Sequence, residues 1–227
     1  MSDRIAVCLL SGGPDAAVAA AMTVRAGFRV AALFADYGQR TVLRERESAL
    51  RCASWLGAIE TREATISWLG QIGGSVLTSS HGRVDAGDVS AEYVPFRNSV
   101  LLAHAVAWAE VLGGSRVVIG STGSDRISPD NSPAFLSAFQ QVVDLGTRTP
   151  SITVSAPLAE HSKAEMITLG TELGVPFADT WSCQNDDSPA CAVCNNCRAR
   201  AEAFERAGLA DPVLEGADGP VHRPAGR

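Results

Sequence analysis

Short uninterrupted apolar runs alternate along the chain with longer stretches in which apolar residues return every three or four positions. Ile5–Leu10 is followed by the stretch Ala16–Ala26, and Val30–Phe34 by Arg44–Leu56, which stops at Gly57. Apolar runs of five or six residues predict strands buried on both faces, and the three-to-four spacing predicts helices. The rhythm resumes with helical stretches at Ser99–Leu112, Pro133–Leu145 and Ser162–Leu173, separated by "RVVIG" at Arg116–Gly120 and "SITVS" at residues 151–155. Gly57, Gly113 and Gly174 sit where a helix end calls for a left-handed residue, which supports those boundaries. Strands alternating with helices of this length predict an α/β fold, a doubly wound parallel sheet of Rossmann-like type. Residues 67–92, rich in glycine and serine and carrying His81, show no period and are expected to form a loop-rich insertion. The organisation expected is an α/β domain over 1–180, a cysteine-rich segment with a final helix over 181–210, and a flexible tail over 211–227.

Composition narrows the function. Of 227 residues 46% are hydrophobic and 19% charged, as in an ordinary soluble domain. Nineteen Lys and Arg against 25 Asp and Glu give a net charge of −6, and no basic block occurs, so a nucleic-acid partner is not expected and a small-molecule substrate is. No stretch reaches the roughly 18 apolar residues of a membrane span, and the first apolar run is too short for a secretory signal, so a cytoplasmic location is expected. Thiols stay reduced there, and clustered cysteines are then read as metal ligands or catalysts before disulfides.

Two motifs carry chemistry. "SGGPD" at Ser11–Asp15 breaks the first strand before the first helix, the turn that cradles phosphate in sheets of this kind. Glycines let backbone N–H groups approach an anion, and the helix points its positive end at the same spot. The loop has neither the G-K-[ST] of a Walker A motif nor the G-x-G-x-x-G pattern. The alternative reading is a plain tight turn with Asp15 as a helix cap. The second motif is Cys183, Cys191, Cys194 and Cys197, spaced C-x7-C-x2-C-x2-C. Four thiolates suit a closed structural zinc site, and an iron–sulfur cluster or a pair of disulfides are the competing assignments. Cys8 and Cys52, in a strand and a helix, are expected in the core.

The loop resembles the S-G-G-x-D-S loop of the pyrophosphate-loop ATPases. With it, "DYGQR" at Asp36–Arg40, "VPFRN" at Val94–Asn98, "PLAEHSKAE" at Pro157–Glu165 and "TWSC" at Thr180–Cys183 resemble, in order over residues 4 to 207, the 7-cyano-7-deazaguanine synthases of queuosine biosynthesis. The resemblance implies a fold of the adenine nucleotide alpha hydrolase type and a zinc-containing homodimer. It implies an enzyme that converts a deazapurine carboxylic acid, ammonia and ATP, with Mg²⁺, through an amide to a nitrile. Carried over to this chain, Ser11, Gly12, Gly13, Pro14 and Ala16 form the pyrophosphate loop, Asp15 helps place Mg²⁺, and Lys163 neutralises developing charge. Asp125 is a third catalytic candidate, while Phe34, Tyr37, Gln39, Arg97 and Asn98 are candidates for nucleotide or base recognition. The cysteines at 183, 191, 194 and 197 are the zinc ligands that it implies.

This chain also departs from the pattern. Ala16 stands where the family has a serine, Thr41 where it has a histidine and Phe96 where it has a glycine; Asn131 and Ser132 replace a cysteine and an arginine. The changes fall where substrate is expected, so other readings stay open beside the nitrile synthase. One is a ligase that stops at the amide or uses another amine. A tRNA-modifying relative and a scaffold with a decayed loop are the others.

Overall fold

The computed structural model describes residues 4–79, 81–123, 128–148, 152–186 and 189–214. Strands β1 (Ile5–Leu9), β2 (Arg29–Asp36), β3 (Glu60–Thr65), β4 (Arg116–Val118) and β5 (Thr153–Ser155) form one parallel sheet in the order β3-β2-β1-β4-β5. The helices are α1 (Pro14–Arg25), α2 (Val42–Trp55), α3 (Trp68–Ile72), α4 (Arg97–Leu112), α5 (Pro133–Gly146), α6 (Lys163–Glu172) and α7 (Asn195–Arg206).

Alternation along the central strands assigns the two faces. Cys8, Leu10, Val30, Ala32, Phe34 and Val118 point to one side, where α1, α2, α6 and α7 cover them. Val7, Leu9, Ala31, Leu33, Val117 and Ile119 point to the other, under α4 and α5. Because β1 is covered on both sides, its residues Ala6–Leu9 are 8% exposed or less. This is the expected doubly wound architecture, with Cys8 and Cys52 in the core as expected. Gly57, Gly113 and Gly174 adopt φ of 62°, 64° and 74° at the ends of their helices.

Four regions differ from the sequence pattern. β3, "ETREAT", escapes the apolar-run test because it is an edge strand with mostly exposed side chains, paired only with β2. Its outer surface is held by Arg46, whose Nε and Nη2 reach the Glu63 carboxylate at 2.7 and 2.8 Å. The 67–92 insertion carries regular structure in α3 and in a 3₁₀ turn at Val89–Glu92. Third, α7 packs into the α/β core: Ala203 and Phe204 belong to the main core, and Phe204 meets Phe177 edge-on at 5.3 Å. Fourth, the segment read as a tail from residue 211 begins anchored. Asp211 is 6% exposed and accepts from Arg200 Nε at 2.8 Å, and Val213 and Leu214 pack on the cysteine cluster.

Strand β5 is the other edge. The Gln140 side chain on α5 closes it, donating to the Ile152 carbonyl at 2.9 Å and accepting from the Val154 N–H at 2.7 Å. A side chain thus takes the place of a further strand.

Candidate active site

β1 and β4 lie side by side, but the chain leaves them in opposite directions across the sheet, so their carboxyl ends open a crevice. The turn after β1 is built for close approach. Gly12 has φ of 82°, and a Cβ there would lie 2.4 Å from the Glu45 carbonyl oxygen and 3.0 Å from the Ala49 N–H nitrogen, so only glycine fits. Gly13 is the helix cap in extended conformation and Pro14 starts α1, a favoured place for proline. The Gly13 N–H donates weakly to Ser11 Oγ at 3.4 Å. Lys163, first residue of α6, is brought across from residue 163 to the same turn, where its Nζ lies 2.6 Å from Asp15 Oδ2. A Ser162–Glu165 capping box fixes that helix start.

A cavity of about 720 Å³ opens at this end of the sheet. Ser11, Gly13, Pro14, Asp15, Ala16 and Lys163 line it, together with Tyr37, Gln39, Arg97 and Asn98. The structure therefore gathers ten of the thirteen expected loop and recognition residues around one space. Gly12 stands behind the wall, packed on α2. The Phe34 side chain points away into the core, under the Arg46 guanidinium, so a contact of its ring with a ligand in this cavity is not what the structure shows. Asp125 lies outside the described residues.

The recognition candidates are tied to one another. Arg97 Nη1 donates to the Tyr37 hydroxyl at 2.9 Å and its guanidinium stacks over the Tyr37 ring at 5.1 Å. Burial pushes the Tyr37 phenol above its usual pKa. Gln39 is 3% exposed: its Oε1 accepts from the Tyr37 N–H and its Nε2 donates to the Ala35 carbonyl and to Glu45. Its amide shapes the turn after β2. The Asn98 side chain is likewise engaged, donating to Asn131 Oδ1 at 3.0 Å, while its backbone N–H is capped by Asp130 Oδ2 at 2.8 Å. Asn131 and Ser132, the departures in this loop, serve the same ends; Ser132 Oγ caps α5 at the Phe135 N–H.

Glu45 was not singled out by any motif. It also lines the cavity, accepts from Thr41 Oγ1 and Gln39, and burial raises its carboxyl above the usual range against the opposing pull of those bonds and of Arg97. The signal for it in the sequence was only a position one turn into α2.

Beyond Trp181 lie the four cysteines. Their Sγ atoms fall within 4.8 Å of one another. Backbone N–H groups point at the sulfurs: those of Asn185 and Cys191 at Cys183 (3.4 Å each), that of Cys194 at Cys191 (3.4 Å), and that of Gln184 at Cys194 (3.5 Å). Donors of this kind stabilise thiolates. The clustering and the donor set fit a tetrahedral metal ion, and all six cysteines are free of disulfides.

This knuckle is joined directly to the turn after β1. The Trp181 N–H donates to the Gly12 carbonyl at 2.9 Å, and its indole N–H donates to the Cys183 carbonyl at 2.9 Å. Arg200, three residues past Cys197, is 4% exposed and binds Thr180 Oγ1 at 2.7 Å, the Phe177 carbonyl at 2.9 Å and Asp211.

A doubly wound parallel sheet with a glycine-shaped, helix-capped turn at its switch point, and a lysine–aspartate pair beside it, defines an α/β protein of Rossmann-like type. Within that class the chain belongs to the family described as queuosine biosynthesis protein QueC, whose model matches residues 5–208. It is 42% identical to the 7-cyano-7-deazaguanine synthase of Methanospirillum hungatei, over 92% of this chain and 98% of that one. It is 44% identical to the synthase of that name from Koribacter versatilis, over 92% of each chain. Among solved structures, NMN synthetase from Francisella tularensis aligns with a TM-score of 0.48 at 17% identity, covering 96% of this chain and 79% of that one. Among the described residues no helix is long and apolar enough to cross a membrane.

Proposed function

We propose that the protein is an ATP-dependent carbon–nitrogen ligase that converts 7-carboxy-7-deazaguanine and ammonia to the nitrile. The observation that carries this is the convergence of the phosphate turn, Asp15 and Lys163 on one cavity large enough for a nucleotide and a fused ring, in a chain of this family.

A carboxylate is a poor electrophile until activated. In the first step its oxygen attacks the α-phosphorus of ATP and the bond to the β-phosphate oxygen breaks, so pyrophosphate leaves. The N–H groups of the turn and the positive end of α1 are where that anion is held, and Lys163 offsets the charge that builds on it. Ammonia adds to the acyl carbon, loses a proton and expels AMP, leaving the amide. The amide oxygen attacks the α-phosphorus of a second ATP and a second pyrophosphate leaves; loss of AMP and of the two amide protons then leaves the nitrile.

Asp15 is the donor suited to a Mg²⁺ ion, which would screen the phosphates; its carboxylate faces the cavity beside Lys163. Cys183, Cys191, Cys194 and Cys197 would hold Zn²⁺ in a closed shell with no position left for water, and its contribution is to fold the wall that Trp181 ties to Gly12. The net charge of −6 favours a small-molecule substrate over tRNA.

The test is mass spectrometry after incubation with ATP, Mg²⁺, ammonium and 7-carboxy-7-deazaguanine. Nitrile and two AMP per product are expected. Amide as the end product would reassign the enzyme to a single adenylation, and no AMP at all would refute the ligase reading.

A further inference from the structure

Three polar side chains from segments far apart in sequence meet on the cavity wall beside the cysteine knuckle. Glu92 ends the 3₁₀ turn of the insertion, Gln184 follows Cys183, and Asn195 opens α7. Asn195 Nδ2 donates to Glu92 Oε1 at 2.6 Å, and Gln184 Nε2 donates to Glu92 Oε2. All three residues line the cavity.

Charge sets Glu92 apart from the other acids there. Asp15 is paired with Lys163, and Glu202 with Arg206 at 2.5 Å. Glu45 is bonded to Thr41 and Gln39 and kept toward its neutral form by burial. Among the described residues Glu92 has two amide partners and no cation within ion-pairing distance. A carboxylate only accepts, so both amides must turn their N–H groups to it, which fixes Gln184 Oε1 as an acceptor; that oxygen is buried with no partner in a side chain 4% exposed. Two of the roughly four acceptor positions on the carboxylate are in use. What the wall presents is a held, acceptor-rich edge, and burying such an edge is costly unless donors arrive.

A guanine-type ring supplies them. Its N1–H and 2-amino group lie side by side and point the same way, matching the two oxygens of one carboxylate, whereas an adenine-type edge presents an acceptor at that ring nitrogen. We propose that Glu92 is the residue that selects the guanine edge of the substrate, by taking the ring N–H and an amino N–H, with Gln184 and Asn195 as positioning residues that hold its carboxylate. This rests on the deazaguanine reading above and names the part of the cavity that recognises the base.

The experiment compares the parent, Glu92→Gln and Glu92→Asp in steady-state turnover and in calorimetric binding of the free base 7-deazaguanine. The probe for the amino contact is an acid lacking the 2-amino group. Glu92→Gln is expected to raise the KM for 7-carboxy-7-deazaguanine by about ten- to a hundredfold, the span of a hydrogen bond to a charged group. The KM for ATP should stay within error, the melting temperature should fall by no more than about 6 °C, the cost of one amide hydrogen bond, and Glu92→Asp should recover part of the loss. The analogue should be handicapped with the parent and not further handicapped with Glu92→Gln. An unchanged acid KM in Glu92→Gln overturns the proposal, and so does an equal rise in the ATP KM or a fall in melting temperature without selectivity for the acid. If the parent binds 7-deazaguanine in a Glu92-dependent way yet forms no nitrile, the reaction assignment fails and the base site stands. Normal turnover indifferent to Glu92 sinks the base site alone, and a parent that binds neither acid nor base sinks both.

Discussion

Gly120, just past β4, is the point where the sheet meets the phosphate turn, and Gly120→Ala is the substitution that tests the contact. A Cβ at this position would lie 2.6 Å from both Cα and N of Ala16 and 2.8 Å from the Asp15 carbonyl carbon. Ordinary contact begins at 3.4 Å, so the methyl is too close to three backbone atoms at 2.6, 2.6 and 2.8 Å, none of which can rotate away. The first turn of α1 must therefore move. Overpacking of this kind costs about 1–3 kcal/mol, which for a chain of this size is a drop of roughly 2–12 °C in melting temperature. The same displacement carries Asp15 and the N–H groups of the turn, and a misplacement near 1 Å in a reacting site costs about a hundredfold in rate. Calorimetry together with the ATP KM and the rate of AMP formation reads both effects. A lowered melting temperature with unchanged ATP kinetics would refute the assignment of the turn to ATP. An unchanged melting temperature would refute the packing argument itself.

The remaining expectations concern three single residues. Phe96 holds φ of 56° before α4 and as a residue is 63% exposed, so Phe96→Gly should stabilise the protein by about 1 kcal/mol through relief of left-handed strain; a lower melting temperature would mean that the ring packs against something that matters. Ala16 lines the cavity in the first turn of α1, and Ala16→Ser should tighten ATP binding by about ten- to a hundredfold through an added hydroxyl donor, with equal affinities in the two proteins as the refuting result. Cys194→Ser should release the metal expected in the knuckle and cost about 4 kcal/mol or more; elemental analysis that finds equal metal in parent and variant, or none in the parent, would remove zinc from the account.

Much of the architecture was legible because it is written locally. β1, β2 and β4 are apolar runs covered on both faces, and the helices carry their own stop signals in Gly57, Gly113 and Gly174. β3 was not legible, since an edge strand with solvent on its faces has no apolar pattern to show. Nor was the anchoring of Asp211: a proline- and glycine-rich segment reads as free chain until the buried Arg200 guanidinium is seen to need its carboxylate. The site divides the same way. The turn after β1 and the cysteine ladder announce themselves by spacing, because neighbours in sequence build them, whereas no spacing shows that Asn98 and Gln39, which line the cavity, also hold Asn131 and the Tyr37 backbone.

By itself, then, the sequence determined the alternation of strand and helix, the glycine turn that ends β1, the thiol cluster and the family to which these belong. Each is a matter of backbone freedom, apolar period or donor spacing within some twenty residues. Only the tertiary structure decided that Lys163 meets Asp15, that Trp181 bridges Gly12 to Cys183, and that Glu92, Gln184 and Asn195 face one cavity. Those meetings depend on the strand order β3-β2-β1-β4-β5. That order is set by which faces of separate elements bury each other best, a sum over pairings that run from Ile5 with Arg29 to Ala6 with Arg116, which no short window along the chain contains.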